Sequence, residues 1–259
     1  MHTAALAELG LAAQWSYVAI DVPPESFAAL VQSLATRNFA GVNVTVPHKL
    51  AALAAAGGST VAAREIGAAN TLSFLDGRIE ADNTDAEGLI ASLPENARGA
   101  RALVMGAGGS ARAAVWALSR HGARVEVWNR TAAKAAALAA ELGAAPAADD
   151  VDASAFDLLI NCTTVGMEAA NPPGGQPLTE SGLADLKALP VGADAIQAGQ
   201  VVVDLVYGKL ETPLIALARS RGATAVDGLE VLVRQGAASL RTWIGMEPPV
   251  DIMRAAARG

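Results

Sequence analysis

The hydrophobic positions beyond residue 100 form short runs separated by helical patterns. Apolar runs with the length of buried strands occupy residues 102–105, 125–128, 157–162 and 201–205. The segments 109–121 and 131–142 carry apolar residues at helical spacing, and each follows a turn of small or polar residues. Strands and helices that alternate in this way predict an α/β fold with a Rossmann-type, doubly wound parallel sheet.

The residues before position 94 mix strand and helix patterns less regularly. The predicted strands are Tyr17–Val22, residues 42–46 and a hairpin over 71–80 with its turn at Asp76-Gly77. Helices are predicted over residues 2–9, over 26–36, and from Thr84 or Asp85 to Pro94. The polar, turn-prone stretch 94–99 predicts a domain boundary. Further helices are predicted at 181–188, 213–220, 229–243 and 249–258.

Composition and charge exclude several classes of protein. With 52% hydrophobic and 17% charged residues, the chain of 259 residues can build a sizeable core, unlike a disordered chain. A net charge of −7 argues against a nucleic-acid partner, because binding to a phosphate backbone needs a basic surface. Cys162 is the single cysteine, so the sequence offers neither an internal disulfide nor the spacing of a metal site.

The sequence also indicates a soluble protein of the cytoplasm. No apolar run approaches the roughly 18 residues that a membrane span requires. The first residues lack the basic start and apolar core of a secretory signal.

A glycine-rich turn links the first strand of the alternating region to its helix. Its residues are Gly106, Ala107, Gly108, Gly109, Ser110 and Ala111. Glycines let the backbone approach a pyrophosphate without a Cβ clash, and the helix N-terminus offers unpaired N–H groups and a positive dipole end. Such turns also join strands to helices without binding anything, but in this strand–turn–helix setting we expect a dinucleotide.

The end of the second strand indicates which dinucleotide binds. NAD-binding folds place Asp or Glu there, about 20 residues after the glycines, to accept from the ribose hydroxyls. This chain has Asn129, Arg130 and Thr131 instead, with Lys134 one turn further on. Arg and Lys attract the 2′-phosphate that a carboxylate would repel. The alternative is a solvated helix start, and we favour NADP as the cofactor.

Two polar segments of the first region offer acid–base chemistry. Lys49 closes the segment 43–49 just beyond a predicted strand, and it is one of only four lysines in the chain. Asp85 follows the polar residues 82–84 where a helix begins. Each residue alone also fits a simpler role, since most lysines are solvated and an Asp at a helix start complements the dipole. A Lys hydrogen-bonded to a carboxylate, in contrast, can move the proton that accompanies hydride transfer.

Nine segments of the chain, in the same order, resemble those of shikimate dehydrogenases. They are NVTVPHK (43–49), GAANTL (67–72), ADNTDAEG (81–88), GAGGSAR (106–112), NRT (129–131), NCTTVGM (161–167), DLVY (204–207), TPL (212–214) and DGLEVLVRQGA (227–237). The resemblance implies a two-domain enzyme of aromatic amino-acid biosynthesis that reduces 3-dehydroshikimate to shikimate with NADPH. It implies a substrate-binding catalytic domain over residues 1–93, an NADP-binding Rossmann domain over 94–226, and C-terminal helices over 227–259 that return to the α/β substrate domain.

The resemblance also implies roles for single residues. Lys49 is similar to the family's catalytic lysine, and Asp85 to the aspartate paired with it. Residues similar to substrate contacts are Thr45, Lys49, Asn70, Asp85, Tyr207 and Gln235. Residues similar to cofactor contacts are Gly106, Ala107, Gly108, Gly109, Ser110, Ala111, Asn129, Arg130, Thr131, Lys134, Thr163, Met167 and Gly228. The implied partners are small molecules, in a monomer or homodimer without a metal ion.

One departure from the family pattern bears on function. Family members begin with a strand and a His-Ser-x-Ser-Pro segment whose serines hold the substrate carboxylate, whereas Met1 and His2 of this chain align with the end of that segment. Either the true protein begins upstream of Met1, which we favour, or the shorter chain is real and holds its substrate weakly. The missing serines leave a truncated NADP-binding protein with impaired catalysis as one alternative. The other is a quinate/shikimate dehydrogenase relative of broader specificity, because substrate breadth depends on a pocket shape that the sequence does not give.

Overall fold

The structure, a computed structural model, describes residues 1–94, 97–172, 186–192 and 194–259. It divides into two compact units: unit 1 comprises Met1–Ala91 and Leu232–Gly259, and unit 2 comprises Ser92–Val231. The second division falls inside the helix Gly228–Ile244, whereas the sequence placed this boundary at 226/227. The helix begins in unit 2 because Gly228 packs tightly there: a Cβ on this residue would lie 2.4 Å from the carbonyl oxygen of Val206.

The helices and strands of the described residues are as follows. The helices are α1 (His2–Glu8), α2 (Phe27–Ala35), α3 (Lys49–Ala55), α4 (Val61–Ile66), α5 (Thr84–Ser92), α6 (Gly109–Arg120), α7 (Ala132–Leu142), α8 (Met167–Ala170), α9 (Pro213–Ser220), α10 (Gly228–Ile244) and α11 (Val250–Arg258). The strands are β1 (Gly41–Asn43), β2 (Gly58–Ser59), β3 (Thr71–Leu75), β4 (Arg78–Asp82), β5 (Arg101–Met105), β6 (Arg124–Trp128), β7 (Ala145–Pro146), β8 (Leu158–Asn161), β9 (Val201–Asp204) and β10 (Thr224–Val226).

The sheet of unit 1 has the strand order β1-β3-β4-β2. β3 pairs antiparallel with both β1 and β4, and β2 pairs parallel with β4. The predicted hairpin is confirmed: Asp76 and Gly77 join β3 to β4 with φ angles of 52° and 75°, the positive values that a tight hairpin turn requires. The sheet packs against α2 and α3 through a core that includes Phe27, Val31 and Leu72.

The predicted strand Tyr17–Val22 is wrong, because this segment joins neither of the sheets that the described residues form. Its residues other than Ala19 instead line an open cavity of about 950 Å³, which is also lined by β1, the edge strand of the unit 1 sheet. Val18 and Ile20 are consequently 60% and 48% exposed. Alternating apolar residues show that a segment could pair, but pairing needs a neighbouring strand edge within hydrogen-bonding distance.

β1 is also shorter than the strand predicted over residues 42–46. It ends at Asn43, and the chain then turns towards α3, with the backbone N–H of His48 donating to the carbonyl oxygen of Thr45 at 2.9 Å. Helices α3 and α4 lie between this turn and β3, and neither was predicted from the sequence.

The six-stranded sheet of unit 2 has the order β10-β9-β8-β5-β6-β7, and all its strand pairs are parallel. This order, with β5 and β8 adjacent at the reversal, confirms the predicted Rossmann-type sheet. Residues 102–105 of β5 and 158–160 of β8 are buried and apolar, as expected for central strands covered on both faces. Of the helix predicted at 181–188, only the short 3₁₀ turn Leu186–Ala188 lies within the described residues.

Candidate functional site

Lys49 and Asp85 form an ion pair in unit 1. Lys49 is the first residue of α3, and Asp85 lies in the first turn of α5. Lys49 Nζ lies 2.7 Å from Asp85 Oδ2, and the two side chains retain exposures of 11% and 16%. The helix dipole of α5 favours a negative charge at its first turn, which adds to the stabilisation by Lys49. The pair is therefore nearly buried and still within reach of water.

Asn70 connects this ion pair to the C-terminal part of unit 1. Its Nδ2 lies 2.9 Å from Asp85 Oδ1, 2.9 Å from Gln235 Oε1 and 3.0 Å from Thr84 Oγ1. Its Oδ1 accepts from the backbone N–H of Thr84 at 2.7 Å. With donors and acceptor all engaged, the Asn70 amide has one orientation and fixes the Asp85 carboxylate in turn. Thr84 was not predicted as a site residue, although it lies in the segment ADNTDAEG.

Gln235 reaches Asn70 because α5 and α10 approach each other closely. A Cβ on Gly88, in α5, would lie 2.7 Å from the backbone nitrogen of Gln235. Glycine at this position therefore has a packing reason, since any side chain would push α10 away. Four predicted substrate contacts, Lys49, Asn70, Asp85 and Gln235, are thus brought into one polar cluster.

The two other predicted substrate contacts lie outside this cluster. Thr45 is exposed on the turn between β1 and α3. Tyr207 belongs to unit 2, where its side chain is 43% exposed.

A cavity of about 310 Å³ opens in unit 2 at the carboxyl ends of the sheet strands. Its lining residues are Ala107, Gly108, Trp128, Asn129, Arg130, Thr131, Lys134, Thr163, Thr164, Val165 and Ala188. No Asp or Glu lines it among the described residues, whereas Arg130 and Lys134 bring two positive charges. Trp128, Thr164, Val165 and Ala188 were not predicted from the sequence, because their place in the lining depends on how neighbouring strand ends meet.

The glycine turn beside this cavity has the backbone that the sequence predicted. Gly106 has a φ of 122°, which strongly favours glycine, and its N–H donates to the carbonyl oxygen of Trp128 at 2.7 Å. A Cβ on Gly106 would lie 3.1 Å from the backbone of Cys162. Helix α6 then begins at Gly109, and its N-cap is Gly108, so no N-cap side chain competes for the first N–H groups of the helix.

The predicted cofactor contacts differ in where the structure places them. Gly106, Gly109, Ser110 and Ala111 form the turn and the start of α6 without lining the cavity. Met167 is the first residue of α8 and is 43% exposed, and neither it nor Gly228 lines the cavity. For Gly228, the close approach to Val206 is a packing reason for glycine that requires no ligand.

The described ranges hold no group of three or more His, Cys, Asp or Glu side chains that could bind a metal ion. None of their helices combines the length and hydrophobicity that a bilayer span requires.

The fold and the site define a protein of the doubly wound, dinucleotide-binding class that carries a Lys–carboxylate cluster in a separate unit. Residues 1–72 match the family model of the shikimate dehydrogenase substrate binding domain, residues 89–166 that of shikimate / quinate 5-dehydrogenase, and residues 228–258 that of the shikimate 5′-dehydrogenase C-terminal domain. The shikimate dehydrogenase (NADP(+)) of Methylobacterium radiotolerans is 47% identical over 251 residues, which cover 91% of this chain and 83% of that protein. The chain belongs to the shikimate dehydrogenase family.

Two solved structures extend the comparison. Shikimate 5-dehydrogenase from Thermus thermophilus, in complex with NADP(H) and shikimate, superimposes with a TM-score of 0.85 at 37% identity, covering 99% of this chain and 92% of that one. The ligand-free 5-ketofructose reductase of a Gluconobacter strain gives a TM-score of 0.79 at 28% identity, covering 98% and 90%. Proteins named for different substrates therefore share this fold.

Proposed function

We propose that this chain catalyses the reversible, NADP-dependent reduction of 3-dehydroshikimate to shikimate. The observation that carries the proposal is the 2.7 Å ion pair between Lys49 and Asp85, held by Asn70 in a polar cluster. Bound NADPH supplies the hydride that reduces the carbonyl carbon. The residues of the chain must then bind the reactants and move one proton.

Lys49 is the residue proposed to move that proton. In the direction of reduction, the Lys49 ammonium gives a proton to the carbonyl oxygen while hydride reaches the carbon, and a neutral hydroxyl results. Asp85 holds the ammonium through Oδ2 and is itself held by Asn70 through Oδ1. Because 11% of the Lys49 side chain is exposed, water can return the proton after each turnover.

The polar cluster of unit 1 suits a substrate with several hydroxyl groups. Asn70, Asp85 and Gln235 present amide and carboxylate groups that can exchange their mutual hydrogen bonds for bonds to hydroxyls. We propose these residues as substrate contacts, together with Thr45 and Tyr207.

The cavity of unit 2 suits NADP better than NAD. Arg130 and Lys134 can bind the 2′-phosphate, and no lining carboxylate among the described residues opposes it. The N-terminus of α6 and the glycine turn fit a pyrophosphate. Thr163, Met167 and Gly228 complete the proposed set of cofactor contacts.

Initial rates with shikimate and quinate, each with NADP and with NAD, test the proposal. We expect shikimate with NADP to give the highest kcat/KM of the four combinations. Comparable rates with quinate would favour the broader-specificity relative, an alternative supported by the structural similarity to 5-ketofructose reductase. NADP binding without turnover of either substrate would favour a binding protein with impaired catalysis.

The cellular location and assembly are part of the same proposal. We propose a cytoplasmic monomer or homodimer, which fractionation of cells and the solution mass of the purified chain would test.

A further inference from the structure

Asp204 is a fully buried carboxylate at the end of β9, with an exposure of 0%. It has no ion pair with any Lys or Arg of the described residues. Its Oδ2 accepts from Thr212 Oγ1 at 2.6 Å, and its Oδ1 accepts from the backbone N–H of Val206 at 3.0 Å and from Asn161 Nδ2 at 2.9 Å. Burying a carboxylate among neutral donors lowers the stability of the fold. Packing alone therefore does not account for an Asp at this position.

Asn161 occupies the matching position at the end of the neighbouring strand β8, in register with Asp204. It is also 0% exposed. An ionised carboxylate only accepts hydrogen bonds, so the NH₂ group of Asn161 must face Asp204 and its Oδ1 must face away. Asp204 thereby selects one of the two possible orientations of the Asn161 amide.

With this orientation, Asn161 holds the turn that follows β8. Its Oδ1 accepts from the backbone N–H of Thr163 at 3.0 Å and from Thr163 Oγ1 at 2.7 Å. Its Nδ2 also donates to the carbonyl oxygen of Val165 at 3.2 Å, and the N–H of Val165 donates to Thr163 Oγ1 at 3.1 Å. Three of these four hydrogen bonds involve the buried Asn161 amide, and the fourth joins Val165 to Thr163 within the turn.

The turn held in this way forms a wall of the cavity in unit 2. Thr163, Thr164 and Val165 line the cavity together with Arg130 and Lys134. Asn161 and Asp204 do not line it. They lie one layer behind the wall, at the carboxyl ends of parallel strands, where ligands bind in open α/β sheets.

We propose that Asn161 is a positioning residue for the dinucleotide. Asp204 sets the orientation of the Asn161 amide, and this amide holds Thr163–Val165, which form a wall of the cofactor cavity, in place. The inference rests on the proposed function, because it assumes that this cavity takes NADP. It assigns to the chain a cofactor determinant that touches no ligand.

Asn161→Ala and Thr212→Val form a matched pair of variants. Each variant removes one side-chain donor to Asp204. Thr212, however, does not support the cavity wall. It caps α9, and its Oγ1 accepts from the N–H of Ile215 at 3.3 Å. We expect both variants to lower Tm. Only Asn161→Ala should weaken NADP binding, by about tenfold in Kd measured by calorimetry, because the wall loses its support. Its kcat at saturating NADP should stay close to wild type, since Lys49 and Asp85 are unchanged.

Backbone hydrogen exchange supplies a readout that needs neither NADP nor a variant. The N–H groups of Thr163 and Val165 should be protected in the wild-type protein without cofactor, and exposed in Asn161→Ala. Exchange of these amides at unprotected rates in the wild type would overturn the inference, even if the variant fails to fold.

Three results separate the inference from the proposed function. A wild-type Kd for NADP in Asn161→Ala overturns the inference alone. An equal loss of NADP affinity in Thr212→Val also overturns it, because a general loss of stability would then explain both. A wild-type protein that does not bind NADP contradicts the proposed function, while the exchange of Thr163 and Val165 still tests the support of the wall.

Discussion

Each unit of the molecule holds a carboxylate that accepts a hydrogen bond from an asparagine amide at 2.9 Å: Asn70 donates to the partly buried Asp85 in unit 1, and Asn161 to the fully buried Asp204 in unit 2. The other oxygen of each carboxylate has a different partner. Asp85 has the ammonium of Lys49 at 2.7 Å, whereas Asp204 has the hydroxyl of Thr212 at 2.6 Å.

This difference in partner separates a carboxylate whose charge is compensated by a cation from one whose charge is not. Asp85 has a cation beside it and 16% of its side chain exposed, so its charge is compensated and water reaches the pair. Asp204 has neither, and burial raises its pKa to about 6 despite three hydrogen-bond donors. We propose that the same asparagine–carboxylate arrangement serves chemistry in one unit and support in the other.

Removal of Lys49 should have the largest effect on turnover. Lys49→Ala should lower kcat for shikimate oxidation by about 10³-fold, because the proton then has no positioned carrier. NADP affinity should be nearly unchanged, since Lys49 belongs to unit 1 and the cavity to unit 2. Lys209→Ala is the matched control, because Lys209 is exposed and lies outside both sites. Wild-type turnover in Lys49→Ala would contradict the mechanism.

The uncompensated charge of Asp204 should be visible in the pH dependence of unfolding. Its pKa is raised from 3.8 to about 6 in the folded protein, so between these pH values the fold retains a proton that the unfolded chain has lost. Its contribution is therefore full below pH 3.8 and is lost as the pH rises to about 6, by about 3 kcal/mol in the free energy of unfolding.

Urea unfolding at several pH values would measure this effect. Asp204→Asn keeps the side-chain shape and removes the titration, so its unfolding free energy should lack the decline between pH 4 and 6. The same decline in wild type and variant would show that Asp204 is not responsible.

Unit 1 should show the opposite dependence on pH through His2. Burial, followed by the nearby N-terminal charge, lowers the pKa of His2 from 6.5 to about 4. The unfolded chain then binds a proton that the fold does not, so stability is full above pH 6.5 and falls as the pH decreases to about 4. We expect about 3 kcal/mol from this group.

His2→Phe would isolate this contribution. The His2 ring stacks on Tyr17 with centroids 4.0 Å apart, which Phe can preserve, although it loses the contact of Nε2 with the carbonyl oxygen of Gly236 at 3.2 Å. The variant should lose the acid sensitivity between pH 6.5 and 4 that the wild type shows. An unchanged acid midpoint would assign the effect to other groups.

The Arg130 side chain lines the cavity of unit 2, where we expect it to bind the 2′-phosphate of NADP. Arg130→Ala should raise the Kd for NADP by about thirtyfold, near 2 kcal/mol, because charge-assisted bonds to a phosphate are lost. NAD, which lacks the 2′-phosphate, should bind with little change. Arg124→Ala is the matched control, because Arg124 begins the strand β6 whose far end leads to Arg130. Equal losses for NADP and NAD would place Arg130 elsewhere on the cofactor.

The smallest effect is expected for an ion pair of similar length on the surface. Arg241 Nη2 lies 2.6 Å from Glu87 Oε1, and the two side chains are 42% and 54% exposed. Glu87→Gln should change the free energy of unfolding by less than about 1 kcal/mol, because solvent screens exposed pairs. A loss in unfolding free energy of about 3 kcal/mol, as large as that expected for the buried Asp204, would contradict the screening of this exposed pair by solvent.

The sequence predicted the elements whose pattern is local. The buried strands of unit 2 are continuous apolar runs, and the hairpin of unit 1 has Asp76-Gly77 at its turn, so both could be recognised without knowledge of their neighbours. Tyr17–Val22 has the same local character but no sheet to join, and the prediction was therefore wrong there. Helix α3, which carries Lys49, was missed because its alanine-rich sequence has little contrast between faces.

Site residues that belong to sequence motifs could be predicted, whereas contacts between residues distant in the sequence could not. Lys49 and Asp85 were expected as a pair, but the contact of Asn70 with Gln235 joins residues 165 positions apart. Asn161 and Asp204 resembled ordinary strand ends, and only the register of β8 and β9 puts them side by side. No pattern within either strand contains that register.

The open cavity beside β1 has a consequence for handling the protein. It brings an edge strand together with exposed Val18, Ile20 and Val46, at 60%, 48% and 58%. An edge with apolar neighbours is a template for pairing with another chain. Solubility at high concentration would then be limited by association through this face and not by unfolding, so additives that coat apolar surface would extend the usable concentration more than ligands that raise Tm.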